Sequence, residues 1–456
     1  MTGPRHIAVI DIGKTNAKLA LVDLDSLTEV AVTTRPNTVL PGPPWPHFDT
    51  EGHWAFLKTS LRDFHAKFRI DAISITTHGA SVVLLARDGT LAAPVLDYEY
   101  VGPDTVSADY DALRPPFAET GSPRLAHGLN VGAQLHWQFR TDPSLHGRAA
   151  MILTYPQYWA HRLTGVAATD VTSLGCHTDL WNPHLGQFST LVDRLNIRAK
   201  IAPARRSDDT LGPILPEIAA ETGLAPGTSV ACGIHDSNAS LYPHLISRPA
   251  PFAVVSTGTW VVVMAVGGVK VALDPGRDTV INVNALGDPV PSARFMGGRE
   301  FELVNQGHAA IATDSDVGRV LAENILLLPA IEPHTGPFPG QAARWHTAEP
   351  TPGSGVREVA LSWYLALMTA ECLKITGAMG ETIVEGPFAR NRFFRQMLAT
   401  ATGRPVIAAG SATGTSIGAA LLFEADRRIN LGPSQRTLPD ARLQAYAERW
   451  SARASP

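Results

Sequence analysis

An α/β fold duplicated into two domains is the architecture this sequence predicts, and three observations carry the prediction. The first is a repeated pattern: Ile7 to Val22 and Phe252 to Val263 are each an apolar β-branched run, a short Gly/Ser/Thr/Asn turn and a second apolar run. That pattern is the signature of a hairpin with a tight polar tip. The second is length, because 456 residues exceed what one hydrophobic core usually fills. The third is element order, in which a hairpin is followed by a helix and a further strand in each half.

The first half opens with strands at about 7–12, 16–23 and 28–34, then a Pro-rich loop from Pro36 to Pro46. A helix near 54–68 leads to a short strand over 72–76. Three strands, a crossover helix and a parallel strand make the start of a ribonuclease H-like unit. A loop-rich region from Gly89 to Pro123, helical stretches near 134–139 and 157–163, and Ala168-Thr169-Asp170 read as an inserted substrate cap. Pro243, Pro249 and Pro251 mark a boundary around Ser240 to Pro251, giving domains of 1–245 and 246–456. The second half repeats the theme with a hairpin at 252–266, a strand near 279–286, a long helix at about 359–376 and a strand at 381–385. A helix then opens near Asn391, Gly403-Arg404-Pro405 stops it, and a strand follows at 406–408. Residues 252–269 carry no charge, but Ser256, Gly258, Gly267 and Gly268 make them a buried hairpin rather than a membrane span.

Composition narrows the function classes. Apolar residues at 45% and charged residues at 18% fit a soluble globular enzyme. A net charge of −4, with no Lys/Arg-rich block interleaved with aromatics, argues against nucleic acid as a partner. Cys176, Cys232 and Cys372 are far apart and form no CxxC, as expected of buried free thiols in a reducing compartment. Residues 1–6 lack a signal sequence, so the expectation is a cytoplasmic protein.

The polar tips are the candidate phosphate sites, since glycine lets N–H groups close on an anion while hydroxyl, amide and ammonium groups add donors. In the first tip Gly13, Lys14, Thr15, Asn16 and Lys18 would meet phosphate oxygens, and Asp11 could hold a Mg²⁺-bound water. Lys14 and Lys18 also read as exposed hairpin charges. The second tip, Thr257-Gly258-Thr259, would offer N–H and hydroxyl donors only, and valine at Gly258 would block phosphate and disfavour a positive φ there. Gly233-Ile234-His235-Asp236 follows an apolar run. Asp236 there either caps the next helix or accepts a hydroxyl proton as oxygen attacks phosphorus; the pair of tips favours the second role. Glu385-Gly386-Pro387-Phe388-Ala389-Arg390-Asn391 opens a helix after a strand, which is a nucleotide-binding position or an ordinary turn. Thr413 to Ala420 is similar, and its small residues also suit helix packing. Thr77-His78-Gly79-Ala80 and Leu96-Asp97-Tyr98-Glu99 offer the carboxylates and imidazole that polyol recognition needs.

Taken together the motifs resemble the FGGY carbohydrate kinases of the sugar kinase, actin and heat-shock chaperone superfamily. Asp11 to Asn16 looks like the first phosphate motif, Gly233 to Asp236 the catalytic motif, Ser256 to Trp260 the second phosphate motif and Glu385 to Val406 the adenosine motif, in the family's order. Within the family, Thr77 to Ala80 and Leu96 to Glu99 look closest to the rhamnulose and fuculose kinase-like branch. The resemblance implies two ribonuclease H-like, actin-like ATPase domains with an interdomain cleft. It implies ATP and Mg²⁺ as cofactors, with Asp236 as general base and metal neighbour and Asp11 as its metal partner. Gly258, Thr259, Gly386 and Asn391 would then bind nucleotide, and His78, Gly79, Asp97, Glu99, His235 and Asp236 the sugar. Domain closure to exclude water is also implied. Where many members have Gly-Gly at the adenosine motif this chain has Gly386-Pro387, and proline removes a donor. The expected partner is a small sugar, without membrane or nucleic acid, and a homodimer is left open. A nucleotide-dependent sensor or chaperone-like switch is the rival reading, which needs no base aimed at a sugar hydroxyl.

Overall fold

The computed structural model describes residues 3–308, 310–410, 414–424 and 435–454. Those residues form two compact α/β units. One comprises the chain through Arg248 together with Ile281–Pro289 and 414–424; the other comprises Pro249–Val280, Val290–Gly410 and 435–454.

In the first unit the central sheet runs in the order Thr210–Pro213, Ser229–Ala231, Ala72–Thr77, His6–Ile12, Asn16–Asp23, Thr28–Pro36. His6–Ile12 and Asn16–Asp23 pair antiparallel from His6↔Asp23 to Ile12↔Ala17, which leaves Gly13, Lys14 and Thr15 as the tip. Ala72–Thr77 joins His6–Ile12 in parallel, as the crossover order requires. The crossover is the helix Thr50–Phe68. Asp49 caps it by accepting from the Gly52 N–H, and Trp54, Leu57 and Leu61 recur at helical spacing to bury one face. The strands between two apolar layers are continuous hydrophobic runs, with Ile7 to Ile10 and Leu19 to Val22 fully buried.

The second unit repeats this order. Its sheet contains Pro289–Phe295, Val261–Val266, Phe252–Thr257, Glu381–Glu385, Val406–Ala408 and Gln435–Thr437 in sequence across the sheet. Phe252–Thr257 pairs antiparallel with Val261–Val266 and parallel with Glu381–Glu385, the same relation that His6–Ile12 has to its neighbours. The uncharged stretch is thus a buried hairpin, and no helix among the described residues is long and apolar enough to cross a membrane. Gly355–Ile375, capped by Ser354, is buried almost all round and forms the centre of this unit's core with Trp363, Tyr446 and Trp450. Asn391 caps Arg392–Thr402 through its Oδ1, and Gly403 in the left-handed conformation ends it.

The loop-rich stretch from Gly89 to Pro123 carries short elements, a turn of helix at Gly102–Val106 and helices at Ser107–Leu113 and Phe117–Thr120. Pro243 does not punctuate a linker: it lies inside the helix Asp236–Ser247. The helices Gly297–Asn305, Asp314–Ala322 and Ala441–Ala454, absent from the sequence-based reading, lie in the second unit. Thr413, at the start of the small-residue segment, lies outside the described residues; Thr415–Ala420 is a short helix packed on the first unit's core.

Candidate active site

Sheet register gathers the first-unit candidates at one edge. Asp11 lies opposite Thr76 and Ile12 opposite Thr77 on one side of the strand Ala72–Thr77. Ile234 and His235 lie opposite the same two residues on its other side. The carboxyl ends of three parallel strands therefore deliver Gly13, His78 and Asp236 to a common place, which is where ligands bind in open α/β sheets.

The first tip is propped from below by residues that sequence reasoning missed. Asn37 donates its side-chain amide to the Gly13 carbonyl at 2.8 Å, and its own carbonyl oxygen accepts from His53 Nε2 at 2.8 Å. His53 Nδ1 in turn accepts from Arg35 at 2.8 Å. Burial, with help from the Arg35 charge, pushes the His53 imidazole down to about 4, which keeps it in the neutral form this chain of bonds requires. Thr15 and Asn16 stay exposed at the tip, but the Gly13 N–H donates to the Asn16 carbonyl at 2.9 Å and so closes the turn. Lys18 spans Asp11 at 3.3 Å and Glu29 at 3.2 Å.

Lys14, expected at phosphate, is engaged by carboxylates of the same unit. Its ammonium pairs with Asp97 and, at 3.0 Å, with Glu99 Oε2, and it lies 4.8 Å from the centre of the Tyr98 ring. The first tip and the Leu96-to-Glu99 segment are therefore one cluster.

His78 sits in an aromatic cup of Phe48, Tyr98 and Tyr155, whose ring centres are 5.1, 5.2 and 5.1 Å away. Its Nδ1 donates to the Gly79 carbonyl at 2.8 Å, so Nε2 is an acceptor. That atom is buried and meets no donor among the described residues. Burial pushes the imidazole down to about 4, so it is neutral at physiological pH. A buried acceptor without a donor costs free energy until a ligand supplies one.

Asp236 is the first residue of the helix Asp236–Ser247, not its cap: the cap position belongs to His235 and makes no side-chain bond. Asp236 Oδ1 accepts the Ser237 N–H at 2.6 Å and lies 3.2 Å from His235 Nε2, while Oδ2 has no hydrogen-bond donor among the described residues. Gly79 makes room for this contact, since a Cβ there would stand 2.6 Å from His235 Nε2 and 3.5 Å from Cys176 Sγ. Burial opposes charge on His235, but Cys176 and Asp236 outweigh it and hold the imidazole above its ordinary value. Burial likewise opposes a Cys176 thiolate, and His177 and His235 overcome it to bring the thiol down. Cys176 is thus a buried free thiol as expected, placed against the site by the fold.

A divalent cation suits this edge. Burial raises the Asp11 carboxyl, Lys18 lowers it, and the neighbouring Asp236 charge raises it again, so a cation shared by the two carboxylates would relieve repulsion. Among the described residues no three His, Cys, Asp or Glu gather as a metal cage. Mg²⁺ does not require one, because it keeps several waters and takes one or two carboxylates.

In the second unit the tip and the adenosine-motif turn leave adjacent parallel strands, Ser256 lying opposite Glu385. The Thr257 hydroxyl, expected as a free donor, is consumed between them: it donates to the Glu385 carbonyl and accepts the Phe388 N–H at 3.1 Å. Gly386 has φ 79°, and a Cβ there would lie 2.0 Å from the Thr257 carbonyl oxygen, so glycine is required for this close approach. Pro387 starts a single helical turn, where its missing N–H is not needed. Gly258 differs from expectation: its φ is not positive, its N–H donates to the Trp260 carbonyl at 2.9 Å, and a Cβ would meet only the Trp260 oxygen at 3.9 Å. Thr259 beside it is exposed and takes the Gly298 N–H on its carbonyl at 3.2 Å. Asn391 is fully engaged, capping its helix and donating to Ser362 Oγ at 2.8 Å.

Comparisons with known proteins agree with this layout. Residues 6–242 match the model for the N-terminal domain of the FGGY family of carbohydrate kinases, and residues 249–430 the model for the carbohydrate kinase FGGY C-terminal domain. A carbohydrate kinase from Novosphingobium aromaticivorans is 37% identical with a TM-score of 0.91, over 98% of this chain and 100% of that one. A xylulose kinase from Rhodospirillum rubrum, 22% identical with a TM-score of 0.78 over 99% and 98% of the two chains, shares the fold. Among curated relatives, an L-fuculokinase of Salmonella typhi is 25% identical over 274 residues. The match spans 58% of this chain and 57% of that protein, little more than half its length. A probable L-xylulose kinase of Pasteurella multocida is 31% identical over 137 residues, 29% of this chain and 28% of its own.

Proposed function

Because the chain belongs to the FGGY family of carbohydrate kinases, we propose that it transfers the γ-phosphoryl group of ATP to a hydroxyl of a ketose or related sugar, of the L-rhamnulose or L-fuculose kind. The observation that carries the reading is the placement of Asp236. It heads a helix at the ends of three parallel strands, with Oδ1 held by Ser237 and His235 and Oδ2 open. Oδ2 accepts the hydroxyl proton while the sugar oxygen bonds to the γ-phosphorus; the bond from that phosphorus to the bridging oxygen breaks, and its electron pair leaves with ADP.

His78 Nε2 supplies the acceptor for a second sugar hydroxyl, and its aromatic cup fits a carbon face or a methyl group. Asp97 and Glu99 take further hydroxyls, with Lys14 holding both carboxylates in place. Gly13, Lys14, Thr15, Asn16 and Lys18 serve the phosphates from residues 1–245; Gly258, Thr259, Gly386 and Asn391 serve nucleotide from residues 246–456, the last two by shaping the turn. When bound, Mg²⁺ neutralises charge on the phosphates, with Asp11 and Asp236 as the carboxylates that would hold it. The relatives named as an L-fuculokinase and a probable L-xylulose kinase support the substrate class, and the proposal takes that sugar as a small-molecule partner in the cytoplasm.

A panel of ketoses, aldoses and polyols assayed for sugar-dependent ADP release tests the proposal. The expected result is the highest kcat/KM with a ketose. ADP release that no sugar accelerates would overturn it.

A further inference from the structure

The backbone that leads into Asp236 is held by a buried polar network to which the proposed phosphoryl transfer gives no role. Gln157 Nε2 donates to the Cys232 carbonyl at 2.9 Å and to the Gly233 carbonyl at 3.2 Å. The Gly233 N–H donates to the Ser207 carbonyl at 3.3 Å. The His235 N–H, one residue before Asp236, donates to Thr172 Oγ1 at 3.0 Å. A backbone N–H can only donate, so the Thr172 hydroxyl accepts there and gives its own proton to Asp170 Oδ2. Asp170 takes three further donors: the Thr172 N–H at 2.9 Å, the Ser173 N–H at 3.2 Å and Ser207 Oγ at 3.0 Å. Gln157, Asp170 and Thr172 are all fully buried.

The cap of the short helix Val171–Leu174 does not need the Thr172 hydroxyl, because Asp170 makes that cap with the backbone N–H groups of Thr172 and Ser173. The hydroxyl reaches instead to the backbone that carries Asp236. We propose that Thr172 is a positioning residue for Asp236: with its hydroxyl oriented by Asp170, it fixes the backbone from which the carboxylate projects. This rests on the reading of Asp236 as general base, a role that depends on place, since a displacement of about 1 Å can cost on the order of 100-fold in rate.

Sugar-dependent ADP release by Thr172→Val, Thr172→Ala and Thr172→Ser tests the assignment, with thermal denaturation to establish that each variant is folded. Thr172→Val should lower kcat at least about ten-fold, while KM for ATP and for the best sugar change by less than about two-fold. Thr172→Ala, which also removes the hydroxyl, should behave alike and serves where valine is not accommodated. Thr172→Ser keeps the hydroxyl and should stay within about three-fold of the unsubstituted chain. In an Asp236→Asn background Thr172→Val should cost less than about two-fold, because a residue acting through Asp236 then has no base left to position. Near-normal kcat in a folded Thr172→Val or Thr172→Ala, beside an impaired Asp236→Asn, would overturn the proposal and leave the base reading intact. A loss shared by Thr172→Ser, or one undiminished in the Asp236→Asn background, would overturn it as well. Near-normal turnover in Asp236→Asn alone would sink the base reading and this proposal with it.

Discussion

Replacing Asp236 by Asn separates the two roles open to this residue, because the amide keeps the shape and removes the base. Asn retains an oxygen at the Oδ1 position, so the 2.6 Å bond from the Ser237 N–H survives. What folding loses is one negative charge in the first turn of a helix, worth about 0.3–1 kcal/mol, which shifts Tm by no more than about 2–4 °C. What catalysis loses is a positioned proton acceptor, expected to cost roughly 10²–10⁴-fold in sugar-dependent turnover, or about 3–5 kcal/mol of barrier. The kinetic effect should thus exceed the stability effect several-fold. A coupled ADP-release assay measures the first, thermal denaturation the second, and calorimetry with a non-hydrolysable ATP analogue should show nucleotide binding retained. Near-normal turnover in a folded Asp236→Asn would refute the reasoning and leave Asp236 a structural residue.

Asp97→Ala should lower kcat/KM for the best sugar by about 5–150-fold, the equivalent of 1–3 kcal/mol for unpaired polar groups, with KM for ATP little changed; a change confined to the KM for ATP would place the sugar elsewhere. Gly258→Val enters open space, so it should fold normally and weaken only the ATP analogue, whereas Gly386→Ala meets the Thr257 carbonyl at φ 79° and should lose more than about 1 kcal/mol of stability. Equal melting temperatures for those two variants would contradict the geometry. Burial raises the fully buried Glu300 carboxyl to about 7, from 4.5 in the unfolded chain. The folded state therefore binds this proton more tightly, and the stability it contributes is complete below 4.5 and lost as pH rises through about 7, on the order of 3 kcal/mol. Glu300→Gln should flatten that part of the pH dependence in urea midpoints, and an unchanged slope would remove Glu300 as its cause.

The sequence by itself determined the two hairpins, the crossover helix that follows the first, the buried uncharged stretch and the helix that Asn391 opens. Each is written in local chemistry: runs of β-branched residues, a glycine in a turn, a capping side chain three residues or fewer from the groups it satisfies. The short helices within 102–120 and the one at Gly297–Asn305 were not legible, since they carry brief or mostly exposed apolar patterns, whereas Asp314–Ala322 does open on a local signal, the capping box of Thr313 and Asp316. The site divides the same way. Sequence order placed Asp11, His78 and Asp236 after apolar runs, and parallel pairing on either side of Ala72–Thr77 turned that order into proximity. Only the tertiary structure decided that Lys14 belongs with Asp97 and Glu99, that Thr257 spends its hydroxyl on Glu385 and Phe388, that Asn37 and His53 carry the first tip, and that Cys176 lies against His235. Those partners are distant along the chain, and nothing in the spacing of residues records them. A side chain's hydrogen-bonding capacity is fixed by its chemistry, but which group satisfies it depends on what the folded backbone brings within about 3 Å.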